Sequence, residues 1–287
     1  MTGAAETLHP LPGRGAVARE ALRAVGQSVR LEVGAVLALL LGLLVLMATV
    51  QPQGAGGADY DVSDMTWPVV ILGLFAPLAV WKHEEPSRRA YLWSMPVDRA
   101  RHTLARVSSG WTMLMGLVAV YVLWALTVAL VTDGNITINP EWEAALRTRL
   151  PPDARIRDLT LSGHPWLWLV PFTAATTTYL LGSSLALLTD HPLRVVAGAA
   201  FAFFVAIGLL ESAGGAAEHA ADSLFVNLVA NPYGIVTEVT GIVHHFDVGP
   251  GVLNDQPNLG AWARATLLWM GGGLAATVLA ARRYQER

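Results

Sequence analysis

The chain contains no cysteine, which excludes a disulfide framework and thiolate chemistry. Its single lysine, Lys82, follows Val80-Trp81 and precedes His83. No G-x-x-x-x-G-K-[ST] stretch surrounds it, so the usual phosphate-binding loop is missing. Any ATP-driven work would have to draw on a second chain. Charged residues make up only 14% of the 287 positions, where soluble domains carry about a quarter. No basic block is present that would track a nucleic acid backbone. Histidines do not cluster in a ligand pattern. His244-His245 are adjacent and point apart on a helix or strand, and Glu218-His219 stands alone, so both pairs read as surface or structural and no metal is expected.

What the chain has instead is apolar length. The sequence is 53% hydrophobic, and its mean hydropathy is +0.45. A membrane-spanning helix needs about 20 mostly apolar residues. Six runs approach or reach that length: Val33–Val50, Met65–Trp81, Val107–Val131, Pro165–Thr189, Val195–Leu210 and Ala265–Ala281. The fifth is short and needs Leu193 or its flanks to cross. The first begins well after Met1, with no compact charged region before it and no clear cleavage site after it. It is therefore expected to be a retained span. The fold class that follows is all-α, a single polytopic domain over residues 1–287 with six spans.

None of the six runs contains Asp, Glu, Lys, Arg or His. Carriers driven by protons or ions usually place such groups inside the membrane as relays. A self-powered secondary transporter is accordingly disfavoured, although backbone carbonyls can still bind sodium.

Orientation follows from lysine and arginine near the span ends. With the N-terminus inside, residues 1–32, 82–106, Arg194 and 282–287 hold fourteen of them; residues 51–64, 132–164 and 211–264 hold five. The expected arrangement is multi-pass with both termini cytoplasmic. Trp67, Trp81, Trp111, Trp166 and Trp262 lie near span ends, as interfacial anchors would.

Three connections carry further signals. In residues 16–32, Val17, Ala21, Leu22, Ala24, Val25 and Val29 share one helical side, opposite Arg19, Glu20, Arg23, Gln27 and Arg30. That pattern predicts an amphipathic helix on the inner leaflet. Asn139-Pro140 can open a short outer helix before Pro151-Pro152. The outer segment 211–264 includes Ala221–Val243, which is half apolar but interrupted by Asp222, Asn227, Asn231, Pro232 and Glu238. It reads as re-entrant or interfacial short helices broken at Pro232, and backbone at that depth must be covered by protein or face water. In the fourth run, Thr173, Thr176, Thr177 and Ser183 could line a substrate path or bond to backbone and neighbouring helices. Gly271–Gly273 in the sixth suits close helix packing.

The stretch after the second run, "EEPSRRAYLWSMPVDRARHTLAR", is the most charged of the chain. Pro86 fits the first turn of a helix whose start Glu84 and Glu85 favour. That helix ends near Met95, because Pro96 disfavours helical geometry before it. Asp98 can cap a second helix that continues into the third run. Val97, Ala100, Leu104 and Val107 lie on one of its faces, with Arg99, His102 and Arg106 opposite. A membrane-hugging charged loop is the plainer alternative.

With its amphipathic start, six spans, inside termini and this connection, the chain resembles the ABC-2 type permeases, the membrane subunits of ABC exporters. Members often carry an acidic residue, a short hydrophobic helix and Leu-x-x-x-Pro-Val-x-Arg there. Glu84 or Glu85, Leu92, Pro96, Val97 and Arg99 match. The resemblance covers nearly the whole chain in topology but only about fifteen residues as a motif. It departs where a lysine often begins the third span. It implies a coupling helix that docks on a separate ATPase, which would involve Glu84, Glu85, Arg88, Arg89, Leu92, Trp93, Pro96, Val97 and Arg99. It also implies a dimer with a second permease copy or a homologue, re-entrant outer helices, a bacterial inner-membrane location, and ATP with magnesium on the partner rather than on this chain. A non-transporting structural subunit is a second reading. A third is the CAAX-type membrane proteases, whose E-E-x-x-x-R is matched literally by Glu84 to Arg89. Those proteases also need F-x-x-x-H and a further histidine motif within spans. Here no Phe has a His four residues on, and no apolar run contains His.

Overall fold

A computed structural model describes residues 14–50, 60–81, 99–131, 136–137, 165–215, 217, 219–220, 223, 233–243 and 256–283. These residues are almost entirely helical. The helices are α1 (Arg14–Val50), α2 (Val62–Trp81), α3 (Arg99–Val131), α4 (Val170–Leu188, preceded by a 3-10 turn over Pro165–Leu169), α5 (Pro192–Ala213), α6 (Ile235–Thr240) and α7 (Leu259–Arg283). Two minimal ladders tie the connections together. Tyr60–Asp61 (β1) pairs in parallel with Ile136–Thr137 (β2), and Ile242–Val243 (β3) pairs antiparallel with Gln256–Pro257 (β4).

Among the described residues, four helices are long and apolar enough to cross a membrane: Arg19–Leu43, Ala100–Val128, Pro192–Leu210 and Leu259–Arg283. Thr66–Trp81 is apolar but shorter. The fourth expected run forms a 19-residue helix whose apolar character is diluted by seven hydroxyl side chains. The chain is therefore a helical membrane protein. α5 carries its large apolar groups outward, with Phe201, Phe204 and Leu209 all about two-thirds exposed or more. This is the arrangement of a helix whose solvent is lipid.

The amphipathic segment and the first apolar run form one continuous helix. α1 has 37 residues, about 55 Å at the usual rise. Its stripe Ala21, Val25 and Val29 is buried. Val25 and Val29 pack with Val80 at the end of α2 and with Met113 of α3. The apolar side expected to lie on lipid thus meets protein at these positions.

α4 is the centre of the bundle. It packs chiefly on α2 and α7, and also touches α3 and α6. Twelve of its nineteen residues are buried. Small residues allow the approach. A Cβ on Gly182 would stand 2.6 Å from the Leu74 carbonyl oxygen, and one on Gly273 would stand 3.1 Å from Leu180 Cβ. Gly73 meets Thr178 in the same way from α2. Thr277 Oγ1 donates to the Leu180 carbonyl at 2.8 Å, and Tyr179 Oη donates to the Val107 carbonyl at 2.9 Å. In lipid, helices gain no hydrophobic drive from one another. Close packing of small residues and interhelical hydrogen bonds carry the association.

Candidate functional site

Of the residues expected to couple to an ATPase, Glu84, Glu85, Arg88, Arg89, Leu92, Trp93, Pro96 and Val97 lie outside the described residues. Arg99 opens α3, and the helix runs without a break into the third span. Seven residues on, Arg106 Nη2 donates to the Val80 carbonyl at 2.6 Å. Its guanidinium lies 4.7 Å from the centre of the Trp81 ring. A cation thus satisfies a carbonyl that the end of α2 leaves without an intrahelical donor. The two helices flanking the charged connection are fastened together where they enter it.

The hydroxyls of α4 divide into two groups. Thr173 donates to the Val170 carbonyl at 3.0 Å, Thr178 to the Ala174 carbonyl at 2.8 Å and Ser184 to the Leu181 carbonyl at 2.8 Å. These are bonds to the preceding turn, common for hydroxyls in apolar helices. Thr176 donates to the Phe172 carbonyl at 2.7 Å and also accepts from Trp111 Nε1 at 3.0 Å. Ser183 is fully buried. Thr177 points elsewhere: its Oγ1 donates to Glu238 Oε1 at 2.9 Å.

Glu238 comes from the connection between α5 and α7, not from one of the long apolar helices. The six residues of α6 pack against α4, α7 and α2. At the start of the segment, the Tyr233 carbonyl accepts from Trp269 Nε1 at 2.8 Å, ten residues into α7, or about 15 Å along its axis. At the other end, Gly241 closes α6 with φ 73°. A Cβ there would approach Leu167 Cδ2 to 2.7 Å, so both the left-handed backbone and the tight contact require glycine. Ile242 then joins Leu167, Val170 and Trp262 in a second apolar cluster. The 233–243 segment therefore runs alongside α4 and α7, from the level of Trp269 at Tyr233 to that of Asn258 and Trp262 at Gly241 and Ile242. Its short helix needs this cover, because backbone at such depth is stable only against protein.

Thr177 and Glu238 are both fully buried. Glu238 Oε2 has no hydrogen bond from a described residue. As a neutral acid, Glu238 would leave one O–H without an acceptor, a cost of about 1–3 kcal/mol. As a carboxylate it would leave a buried charge without a counter-ion, a penalty of several kcal/mol, roughly 3–5 when a partner is missing. Burial accordingly pushes its carboxyl up to about 7, opposed by the hydrogen bond from Thr177. An acid held neutral within a helix bundle can take up and release a proton near neutral pH.

In the sequence Glu238 stands only as a polar interruption of Ala221–Val243, outside the apolar runs where an intramembrane acid is expected. The available signal was a lone glutamate in the apolar stretch "GIVTEVTGIV", bracketed by glycines. A second carboxylate lies within a candidate span, outside the apolar runs read from the sequence. The candidate span within α1, Arg19–Leu43, includes Glu32, just ahead of the apolar run that begins at Val33. Glu32 borders a cavity of about 470 Å³ between α1, α2 and α3, otherwise lined by apolar groups such as Val25, Val29, Phe75, Met113 and Leu117.

Comparison of the chain with protein-family models, with curated proteins and with solved structures returns no match.

Proposed function

We propose that this chain is the transmembrane subunit of an ATP-driven ABC exporter of the ABC-2 type. It spans the bacterial inner membrane six times with both termini inside. It pairs with a second permease copy and two copies of a separate ATP-binding subunit, which hold the ATP and magnesium. Residues 84–100 dock on the ATPase, and its closure moves the spans between inward- and outward-facing states. An amphipathic cargo suits the uncharged apolar runs.

The observation that carries this reading is the fastening of α2 to α3 by Arg106 at the mouth of the charged connection. A force applied to residues 82–98 would reach both helices together and pass through α2 to the central helix α4, against which α2 packs closely. The resemblance of the connection to a coupling helix, the fourteen-to-five distribution of basic residues and the missing phosphate loop support the same reading.

The test is purification of the full chain from its native membrane under mild conditions. An ATPase subunit should come with it, and the chain stripped of that partner should neither bind nor hydrolyse ATP. ATP hydrolysis by the chain alone would overturn the proposal.

A further inference from the structure

We propose that Glu238 is a proton-binding site that latches the 233–243 segment onto α4: protonated, it seats α6 against Thr177, and ionised, it releases α6 towards the outer water. This inference does not depend on the exporter reading.

Its basis is geometric. The carboxyl is fully buried, one oxygen is held by Thr177 at 2.9 Å, and the other has no hydrogen bond from a described residue. The elements packed on α6 offer little to neutralise it. α4 carries one titratable side chain, Tyr179, whose hydroxyl is committed to the Val107 carbonyl. α2 has one ionisable residue, Asp64, in its first turn, and none from Thr66 to Trp81. On α7, Arg264 is exposed and its guanidinium lies over the Tyr233 ring at 5.8 Å. Arg282 and Arg283 are at the far end of that helix. β3 has no titratable group.

Loss of the proton to water therefore leaves a buried charge facing no cation among the described side chains, and the relief available is hydration. Hydration requires α6 to leave its seat. The helix is suited to move as a unit, since it is only six residues long and has Gly234 at its start and Gly241 in the left-handed region at its end. Thr177 can donate to the carboxyl in either form, so it positions Glu238 without fixing its charge.

The first experiment uses the full chain in lipid nanodiscs, where the absence of native cysteine permits a single reporter. Val239→Cys places a thiol at a buried position of α6. Maleimide labelling is followed from mildly acidic to mildly alkaline pH, with the same reporter in an E238Q background correcting for the reactivity of the thiol itself. The labelling ratio should rise up to about tenfold per pH unit above the titration, the slope of one proton, and E238Q should stay protected throughout. A ratio that does not change with pH overturns the latch.

The second measurement needs no reporter. At neutral pH exposed carboxyls are ionised, so an infrared carbonyl band of a protonated acid should be visible in the wild type and lost in E238Q. Should E238Q fail to fold, Thr177→Val supplies the assignment, because loss of the Thr177 donor must shift that band to higher frequency. Absence of the band in the wild type, its persistence in folded E238Q, or no shift in Thr177→Val overturns the proton site.

Discussion

Thr177, in the middle of the central helix, donates a hydrogen bond of 2.9 Å to Glu238, a residue sixty-one positions later in a connection between two apolar helices. That one contact links the hydroxyl-bearing α4 to the six-residue helix α6. Removing either partner exposes different physics. Thr177→Val keeps the shape but takes away the donor, so it should destabilise the folded chain by about 1–3 kcal/mol. It should also move the Glu238 titration further up, because the Thr177 bond is what pulls it down. Thermal unfolding in detergent at two pH values measures both effects.

The titration also has a sign. The Glu238 carboxyl goes from an ordinary 4.5 to about 7 on folding. Between those values the native chain holds a proton that the unfolded chain has lost. Its contribution therefore favours the folded state at low pH and is lost as pH rises through that window. Wild type should lose stability relative to E238Q between about pH 4.5 and pH 7, and above that the difference should level off. A difference that grows in the opposite direction would show the carboxyl is not held neutral.

Packing around α4 gives a third expectation. Gly182→Ala forces a methyl to within 2.6 Å of the Leu74 carbonyl oxygen, a backbone atom that cannot step aside. Overpacking of this kind costs typically about 1–3 kcal/mol. Gly116→Ala is the control, since nothing lies within 4 Å of its Cβ. It should be neutral or slightly stabilising, by up to about 1 kcal/mol, as alanine is the better helix former. Unfolding midpoints of the two variants should separate clearly.

Arg106 provides a fourth. Arg106→Gln loses the charged hydrogen bond to the Val80 carbonyl and the stack on Trp81. The lost bond alone is worth about 1.5–3 kcal/mol, discounted for partial exposure. The more telling readout is protease or label access to residues 82–98, which should increase when the two helix ends are no longer fastened.

Much of the architecture was legible because apolar length is written directly in the sequence. The third, fifth and sixth runs correspond to α3, α5 and α7, and the fifth does recruit Leu193, as its shortness required. Two features were not legible, for physical reasons. Periodicity in residues 16–32 revealed an apolar face but not its partner. Val25 and Val29 look the same whether they meet lipid or Val80. Nor does hydropathy register that a short segment with polar interruptions packs against the central helix. Glu238 reads as a polar interruption in sequence, and only the approach of α6 to α4 turns it into a buried acid. The charged connection, where the sequence argument was most detailed, falls outside the described residues.

The account's central claim is that residues 84–100 dock on an ATPase subunit, and a double substitution tests it most directly. On this proposal Leu92 and Trp93 would be the apolar anchors of the stretch, since such groups usually dominate a docking surface, and the charges Glu84, Glu85, Arg88 and Arg89 would steer and orient at the rim. Trp93→Ala alone should weaken ATPase association by about 2 kcal/mol or more. Arg88→Ala should cost less and depend on salt. With Leu92→Ala and Trp93→Ala combined, the chain should still insert in the membrane, because no span is altered, but the ATPase should no longer co-purify and transport-linked hydrolysis should fall away. Full partner binding and full hydrolysis in that double variant would contradict the claim and leave the stretch a solvated loop.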